Sequence, residues 1–544
     1  MKLIRVHIVA AQSCGGLLDG VDVRLRGSVV AKPVFEPLCL IGPNGAGKSQ
    51  FLQVIAEAFQ SLLHALVPNE ERDECNPDLQ FEIEYIVSVG NHEQPTHVRV
   101  ARLAEGKRRP AIKIAKQSEG EWIECDPTDP ATAALLPEKV IGYTSGANET
   151  LSLPFLVSRA GYANDVAERA LKPSRSEEAV PDSRLMLIDY GTHLEVLVAN
   201  LLLGTIDQRK SLLEDVRVQD LHSFRCVIQL AHSAVPKAPS SRKGAHKRKG
   251  IQLTEELESY IEQLRRCATS HHHDPSTDSY TFDFLVTIET RKAFRHFWKS
   301  SLDLYAAFHK IAMLNDLAIP RNTRTRFRHE AQRRKFASRL PEPQDEEKVF
   351  RFERVEFAAV GKKGIVDYVS LSDGEHQIAQ LLGTMSMASF PNVLFLFDEP
   401  ESHFNPRWRV KLLSKILALP TADGKRADRG KSAMQDGLLT THSPFVASDM
   451  HKERVFIFSK NLNTGRIEVR HPDIETFGTT FDAILSECFD IEPAISGVPM
   501  AMIEELKSSD DPDEIRRGMS ELGDSVEKIM LADRIRQLKR QTSH

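Results

Sequence analysis

The sequence predicts an α/β protein whose sheet is begun early in the chain, interrupted by an insertion and completed late. Apolar runs of strand length alternate with helical patterns from residue 1 to about 204, and such runs return between about 346 and 470. The segment 205–345 has a mainly helical pattern, as do residues 471–544, whose last helix is expected to dock on the sheet domain. An α/β domain split in sequence accounts for this order.

The composition is typical of a globular protein from a reducing compartment. Hydrophobic residues make up 41% of the 544 positions and charged residues 27%. No apolar run approaches the roughly 20 residues that a membrane-spanning helix needs, so we expect a cytoplasmic location and no membrane partner. The seven cysteines are scattered without a C-x-x-C pair, which argues against a structural zinc site.

One segment of the N-terminal half has the pattern of a phosphate-binding loop. It follows the apolar run PLCLI, precedes a helical pattern and matches G-x-x-x-x-G-K-[ST]. In such a loop, backbone N–H groups approach phosphate, the lysine contacts the β- and γ-phosphates, and the final hydroxyl reaches Mg²⁺. The predicted ATP-binding residues are Gly42, Pro43, Asn44, Gly45, Ala46, Gly47, Lys48 and Ser49.

Two later strands end in side chains suited to nucleotide hydrolysis. The apolar run NVLFLF ends at Asp398 and Glu399, and the run LLTT leads to His442. Because α/β sheets bind ligands at the carboxyl ends of their strands, we expect these side chains near the phosphate loop. Asp398 is predicted to hold Mg²⁺ together with Ser49, Glu399 to activate the attacking water, and His442 to sense the γ-phosphate.

The segment LSDGE combines a helix start with the chemistry of an anion site. It comprises Leu371, Ser372, Asp373, Gly374 and Glu375, and S-x-x-E before a helical pattern is a capping box. A well-capped helix explains this pattern without any ligand. The same helix start would also direct a hydroxyl and backbone N–H groups at a phosphate, so both interpretations stay open at this point.

Taken in chain order, the phosphate loop, LSDGE, the strand-end acids and His442 resemble the motifs of ABC-type ATPases. This resemblance implies a head that binds ATP with Mg²⁺ and hydrolyses it. It also implies that the signature, residues 371–375, acts in trans on ATP held by another subunit, in a head-to-tail homodimer or a larger oligomer. The family's glutamine loop is not matched, because GYTSGANE offers Asn148 and no glutamine.

The two halves of the head also resemble the short-insert ATPases of bacterial anti-phage systems. The segments LSDGEHQ, DEPESHFNPRW, GYTSGANE and THSPF are similar to those of the SMC- and OLD-like PtuA ATPases of Septu and retron-associated systems, also called restriction system-associated AAA family ATPases. The resemblance implies an HNH-type, PtuB-like partner nuclease and, in the retron version, a reverse transcriptase with its RNA–DNA hybrid. The alternative is a DNA-repair ATPase of the RecF/SMC kind that binds DNA structures or ends.

The insertion is markedly basic. Residues 207–339 contain 25 Lys and Arg against 15 Asp and Glu, although the whole chain has a net charge of −5. A solvated surface would explain such charge, but repulsion within the arginine-rich segment 321–339 favours an anionic partner, either nucleic acid or an acidic protein face. The residues predicted to contact this partner are Arg321, Arg324, Arg328, Arg333, Arg334 and Lys335.

Overall fold

The described residues of the chain form three large β-sheets and a two-stranded one. The computed structural model describes residues 1–27, 34–90, 95–104, 106, 110–145, 149–171, 179–231, 251–333, 343–361, 364–421, 424–428 and 430–541. The strands are β1 (Lys2–Ala10), β2 (Val21–Arg24), β3 (Leu38–Ile41), β4 (Gln80–Val87), β5 (Thr96–Leu103), β6 (Ala111–Ser118), β7 (Glu121–Glu124), β8 (Lys139–Thr144), β9 (Leu185–Ile188), β10 (Val218–Gln229), β11 (Ser270–Asp274), β12 (Ser279–Leu285), β13 (Phe350–Ala359), β14 (Ile365–Asp367), β15 (Val393–Asp398), β16 (Pro420–Thr421), β17 (Gly424–Lys425), β18 (Asp436–Thr440), β19 (Val455–Lys460) and β20 (Ile467–Arg470).

Helices cover these sheets and form the C-terminal segment. They are α1 (Lys48–Leu66), α2 (Pro130–Ala133), α3 (Glu149–Leu171), α4 (His193–Leu203), α5 (Ile206–Leu213), α6 (Glu255–Cys267), α7 (Ile288–Phe297), α8 (Ser301–Ala312), α9 (Arg321–Arg333), α10 (Asp373–Met387), α11 (Pro406–Arg409), α12 (Leu412–Ala418), α13 (Pro444–Ser448), α14 (Phe481–Phe489), α15 (Gly497–Ser508), α16 (Pro512–Glu521) and α17 (Val526–Gln541).

The central sheet has seven strands in the order β20-β19-β3-β18-β15-β8-β9. Neighbouring strands are parallel except for β19 and β20, which form an antiparallel pair at one edge. Strands β3, β8 and β9 come from the N-terminal half of the chain, and the other four come from the C-terminal half. The prediction of an α/β domain split in sequence is therefore confirmed.

Successive side chains of the central strands point into two separate cores. In β15, Leu394 and Leu396 pack with α1 and the sheet that contains β1, whereas Phe395 and Phe397 pack in the opposite core with α4 and α10. Nearly continuous apolar sequence is expected for parallel strands that are covered on both faces. Polar side chains can therefore gather only at the ends of these strands.

The other two large sheets are antiparallel. One, in the order β2-β1-β4-β5-β6-β7, comes wholly from the N-terminal half. The other has the order β11-β12-β10-β13-β14. Strand β13, at the start of the segment 346–470 that the sequence predicts as the second half of the head, forms its hydrogen bonds with β10 of the insertion and with β14. A strand pattern in sequence identifies a strand and not its partner.

The insertion packs helices on this second antiparallel sheet. Phe224 of β10 and Phe284 of β12 stack with their ring centroids 4.3 Å apart, and Phe294 of α7 packs against both. Helices α5 to α9 make up most of its regular structure, as the sequence predicts, with β10 to β12 added to them. Phe224, Phe284 and Phe294 belong to the same continuous core as Phe395 and Phe397 of β15, so the insertion packs on this face of the central sheet.

The C-terminal segment is helical, as predicted, but its last helix packs differently from the expectation. Buried Leu531 of α17 belongs to a small core with Ile503, Leu506 and Ile515 of α15 and α16. Within the described part of the chain, helix α17 therefore packs mainly in a three-helix unit with α15 and α16. Among the described residues, no helix combines the length and apolar character that crossing a membrane requires.

Candidate nucleotide-binding site

The phosphate loop joins β3 to α1, and its backbone requires glycine. Gly42 has a φ of 135°, and a Cβ at this position would overlap the carbonyl oxygen of Phe458 on β19. Gly47 has a φ of 84° and immediately precedes α1, so that the helix N-terminus faces the loop. This arrangement directs backbone N–H groups at an anion. The exposed tip of the loop consists of Pro43, Asn44 and Gly45.

Lys48 is buried and turned toward its own loop. Its ammonium group donates hydrogen bonds to the carbonyl oxygens of Gly42, at 2.8 Å, and Pro43, at 3.0 Å. Burial lowers the pKa of Lys48 to about 8, although the nearby carboxylates of Glu399 and Asp398 act in the opposite direction. A phosphate group in the loop would stabilise the charged form of this ammonium.

Ser49 and Asp398 meet where α1 begins and β15 ends. The hydroxyl of Ser49 donates a hydrogen bond to Asp398 Oδ1 over 2.8 Å, and the Thr440 hydroxyl donates to the same oxygen over 2.6 Å. Burial raises the pKa of Asp398, while these two hydroxyls act to lower it. A hydroxyl beside a buried carboxylate fits the oxygen ligands that Mg²⁺ prefers, and a cation would compensate the buried negative charge.

Glu399 lies beside His442 at the ends of β15 and β18. His442 Nε2 is 3.2 Å from Glu399 Oε1, and this contact is the main cause that lowers the pKa of Glu399. The backbone N–H of Glu399 donates to the Thr440 hydroxyl over 3.0 Å, and Glu399 has a left-handed φ of 46°. An ionised, partly exposed carboxylate in this position can accept a proton from a water molecule.

The signature segment forms a preorganised helix start. Ser372 caps α10 in a capping box with Glu375, whose carboxylate also accepts hydrogen bonds from the Arg217 guanidinium at 3.0 and 3.1 Å. Burial acts to raise the pKa of Glu375, but the hydrogen bonds from Arg217 and Ser372 outweigh it and lower that pKa to about 2. Ser372 and Asp373 are exposed, whereas Leu371 and Gly374 are buried.

Gly374 packs the signature against the segment that follows Glu399. A Cβ on Gly374 would lie 2.9 Å from the Trp408 ring and 3.1 Å from the His403 carbonyl oxygen. Sequence reasoning assigned no role at the site to Arg217 or Thr440. Thr440 ends β18, Arg217 lies in the bend before β10, and each contacts residues that are distant from it in the chain, so no local spacing signals it.

The segment GYTSGANE, which does not match the family's glutamine loop, begins near the end of β8. Asn148 of this segment lies outside the described residues. Gln377 of α10 donates a hydrogen bond to the carbonyl oxygen of Ser145 over 2.7 Å, so the signature helix holds the start of this segment. The described part of the chain contains no group of three or more His, Cys, Asp or Glu side chains that could hold a metal ion.

The predicted basic surface is partly engaged within the chain. Arg328 of α9 donates to both carboxylate oxygens of buried Asp73, at 2.9 and 2.8 Å, and Arg324 donates to the Ile319 carbonyl oxygen over 3.1 Å. Arg321 is exposed. Of the remaining predicted residues, Arg333 is the last residue of α9, and Arg334 and Lys335 lie outside the part of the chain that the structure describes.

Comparison with known proteins finds a similarity to a known family in part of the chain. Residues 243–448 match the family described as "AAA domain, putative AbiEii toxin, Type IV TA system", a range that contains the signature, the strand-end acids and His442. No curated protein matches the chain. A solved structure of the recombination mediator protein RecF-ATPrS in the RecFOR pathway is 11% identical with a TM-score of 0.30, covering 86% of this chain and 97% of that chain. The family match covers less than half of the chain and lies outside the phosphate loop, so it shows similarity to an AAA domain in this part of the chain.

Proposed function

We propose that this ATPase works as a head-to-tail dimer that regulates a partner nuclease in a bacterial anti-phage defence complex. The dimer is inferred from the exposure and the hydrogen bonds of the signature turn, residues 371–375. Ser372 is exposed, and its capping geometry is already held by Glu375 and Arg217. Such a preorganised turn can close over a nucleotide bound to a second copy at little cost in conformational entropy.

Exposed apolar side chains beside the signature support the same arrangement. Val369 is 80% exposed and Ile365 is 56% exposed, and both shortly precede Ser372 in the chain. Exposed apolar side chains that are rimmed by polar groups often mark protein interaction sites. A second copy that brings its phosphate loop to Ser372 would cover them.

Each residue of the nucleotide site has a distinct task in the proposed hydrolysis. Lys48 would contact the β- and γ-phosphates, and Ser49 and Asp398 would hold Mg²⁺, which supplies charge stabilisation to the phosphates when bound. Glu399 would accept the proton of the attacking water, and His442, 3.2 Å from Glu399, would contact the γ-phosphate. Phosphoryl transfer depends mainly on positioning and on charge stabilisation of this kind.

The partner is proposed to be an HNH-type nuclease, with nucleic acid as a further ligand. The partner and the role in defence are proposed from the resemblance of LSDGEHQ, DEPESHFNPRW, GYTSGANE and THSPF to the PtuA ATPases. The exposed Arg321 of α9 would contact nucleic acid, including the RNA–DNA hybrid of a retron with its reverse transcriptase. ATP-dependent closure of the dimer would then decide whether the nuclease is held or released.

Affinity purification of the natively expressed complex tests this proposal. Bound proteins and nuclease-resistant nucleic acid are identified for the wild type, Glu399→Gln and Lys48→Ala, and phage protection is measured in the same strains. We expect a small HNH nuclease to co-purify with the wild type and both variants to lose protection. Recovery of DNA with recombination proteins only, together with sensitivity to DNA damage and unchanged phage resistance, would support the DNA-repair alternative instead.

A further inference from the structure

A buried carboxyl group lies next to the proposed hydrolytic residues. Glu401 is 3% exposed, and its Oε1 accepts a hydrogen bond from the Thr441 hydroxyl. Its Oε2 receives no hydrogen bond from the described residues. Burial raises the pKa of Glu401 to about 7; the Thr441 hydroxyl and Arg409 act to lower it, and Glu399 acts to raise it further. Burial of a carboxyl group costs folding free energy, whereas an apolar side chain could be buried here without that cost. We therefore expect the carboxyl group of Glu401 to have a role that an apolar side chain could not perform.

Thr441 transmits this contact to the turn that carries His442. Its hydroxyl donates to Glu401 and accepts the Ser443 N–H over 2.9 Å, so the same hydroxyl joins both neighbours of His442 in the chain. The Thr441 N–H also donates to the Leu40 carbonyl oxygen of β3 over 3.0 Å. The turn is thus tied to Glu401 through a side chain and to the central sheet through the backbone.

Glu401 is equally fixed to the turn that carries Glu399. The Ser402 N–H donates to the Glu399 carbonyl oxygen over 3.1 Å, and the Phe404 N–H donates to the Glu401 carbonyl oxygen over 2.9 Å. These bonds close a compact turn directly after β15. Glu401 therefore connects two turns, the one after β15 that presents Glu399 and the one after β18 that presents His442.

We propose that Glu401 is a positioning residue that, through Thr441, holds His442 within hydrogen-bond distance of Glu399. Its effect on rate rests on the proposed hydrolysis, whereas its effect on the distance between His442 and Glu399 does not. Removal of the Glu401 carboxylate should displace the side chain of Thr441 and, through the turn, that of His442. The phosphate loop is anchored separately, by β3 and α1, and should keep its affinity for nucleotide.

Three substitutions separate positioning from packing. Glu401→Gln keeps the size and the acceptor oxygen, Glu401→Leu removes the acceptor, and Thr441→Val removes the donor with little change in shape. We expect kcat for ATP to fall at least about tenfold in Glu401→Leu and Thr441→Val with KM within about twofold, and Glu401→Gln to retain most of the activity. Thr132→Val, which removes a buried hydroxyl that donates to the Asp126 carbonyl oxygen over 2.7 Å, is the matched control and should leave kcat unchanged.

Crystal structures of the variants distinguish failure of this inference from failure of the proposed function. The distance from His442 Nε2 to Glu399 Oε1 should exceed hydrogen-bond range in Glu401→Leu and Thr441→Val, and stay near 3.2 Å in Glu401→Gln. An unchanged distance in Thr441→Val overturns the positioning role, even if Glu401→Leu fails to fold. If the wild-type chain has no ATPase activity, the proposed hydrolysis is wrong. The distance from His442 Nε2 to Glu399 Oε1 in the variants then still decides whether Glu401 positions His442.

Discussion

The Ser49 hydroxyl donates a hydrogen bond to Asp398 Oδ1 over 2.8 Å, although 349 positions separate the two residues in the chain. The contact exists because β3, which leads into the phosphate loop, is separated from β15 by a single strand, β18. The end of that intervening strand supplies the Thr440 hydroxyl, which donates to the same carboxylate oxygen over 2.6 Å. The phosphate loop and the acidic strand end are thus one site only after the two halves of the sheet have joined.

Lys48→Ala is expected to weaken ATP binding about tenfold or more, because a hydrogen bond to a charged group typically contributes about 1.5–3 kcal/mol. The measurement is equilibrium binding of a fluorescent ATP analogue. Lys460→Ala, at the exposed end of β19, is the control and should bind like the wild type. Equal affinities of the two variants would show that nucleotide does not bind at the phosphate loop.

Glu399→Gln is expected to bind ATP, but its rate of ATP hydrolysis should be at least about 100-fold lower than that of the wild type. The reason is that an amide cannot accept the proton of the attacking water. ATP-bound dimers should then accumulate, which size-exclusion chromatography with light scattering detects. Glu521→Gln, at the exposed end of α16, should hydrolyse ATP normally. Turnover by Glu399→Gln at the wild-type rate would assign the proton acceptor to another group.

Ser372→Arg and Lys48→Ala should complement each other if the signature acts in trans. Arginine at the exposed helix cap would block closure without touching the nucleotide of its own chain. A mixed dimer has one site with an intact phosphate loop from one copy and an intact signature from the other. We expect each variant alone to be inactive and an equimolar mixture to recover part of the ATPase rate. The control variant Ser508→Arg, on the C-terminal helices, should be active alone. If no mixture of Ser372→Arg with Lys48→Ala is active, each site is completed within one chain.

The two classes of arginine on α9 should respond differently to charge reversal. Arg321→Glu with Arg326→Glu changes exposed side chains and should abolish co-purification of nucleic acid at unchanged stability. Arg328→Glu places a carboxylate against buried Asp73 and should cost roughly 2 kcal/mol or more. Thermal unfolding and salt-dependent binding of duplex DNA measure both effects. Nucleic acid retained by the exposed double variant would identify this face as a solvated surface, and loss of a partner protein instead would indicate an acidic protein face.

Glu71 predicts a pH dependence of stability away from the nucleotide site. It is buried and accepts hydrogen bonds from the Ser158 and Ser183 hydroxyls, yet burial raises its pKa from 4.5 to about 7. Between these two values the folded chain keeps a proton that the unfolded chain has released, so the free energy of unfolding falls as pH rises and levels off above about 7.

Glu71→Gln should remove this fall, which amounts to at most about 3 kcal/mol. The variant should therefore gain stability relative to the wild type as the pH of urea titrations is raised from 4.5 to 7.5. Glu521→Gln, on the surface of α16, should show no such trend. A difference between Glu71→Gln and the wild type that is independent of pH would contradict the assignment.

Local patterns could predict the segments of the nucleotide site but not every side chain that acts there. The phosphate-loop residues are contiguous, and the apolar run before Asp398 is typical of a buried strand, so spacing alone identifies both. Arg217, Thr440 and Glu401 could not be found in this way, because each acts on a residue from a different element. The same limit explains β13, which the sequence predicts as a strand and which pairs with β10 of the insertion.

By itself, the sequence determined the elements of this protein, its α/β class and the chemical groups available for nucleotide chemistry. Hydrophobic periodicity and short motifs specify these features within about twenty residues of chain. Only the tertiary structure decided which groups meet. Ser49 meets Asp398, Glu399 meets His442, and Arg328 pairs with Asp73 of its own chain instead of with a separate anionic molecule. The physical reason is that hydrogen bonds, ion pairs and pKa shifts depend on distance and burial, which all segments of the folded chain set together.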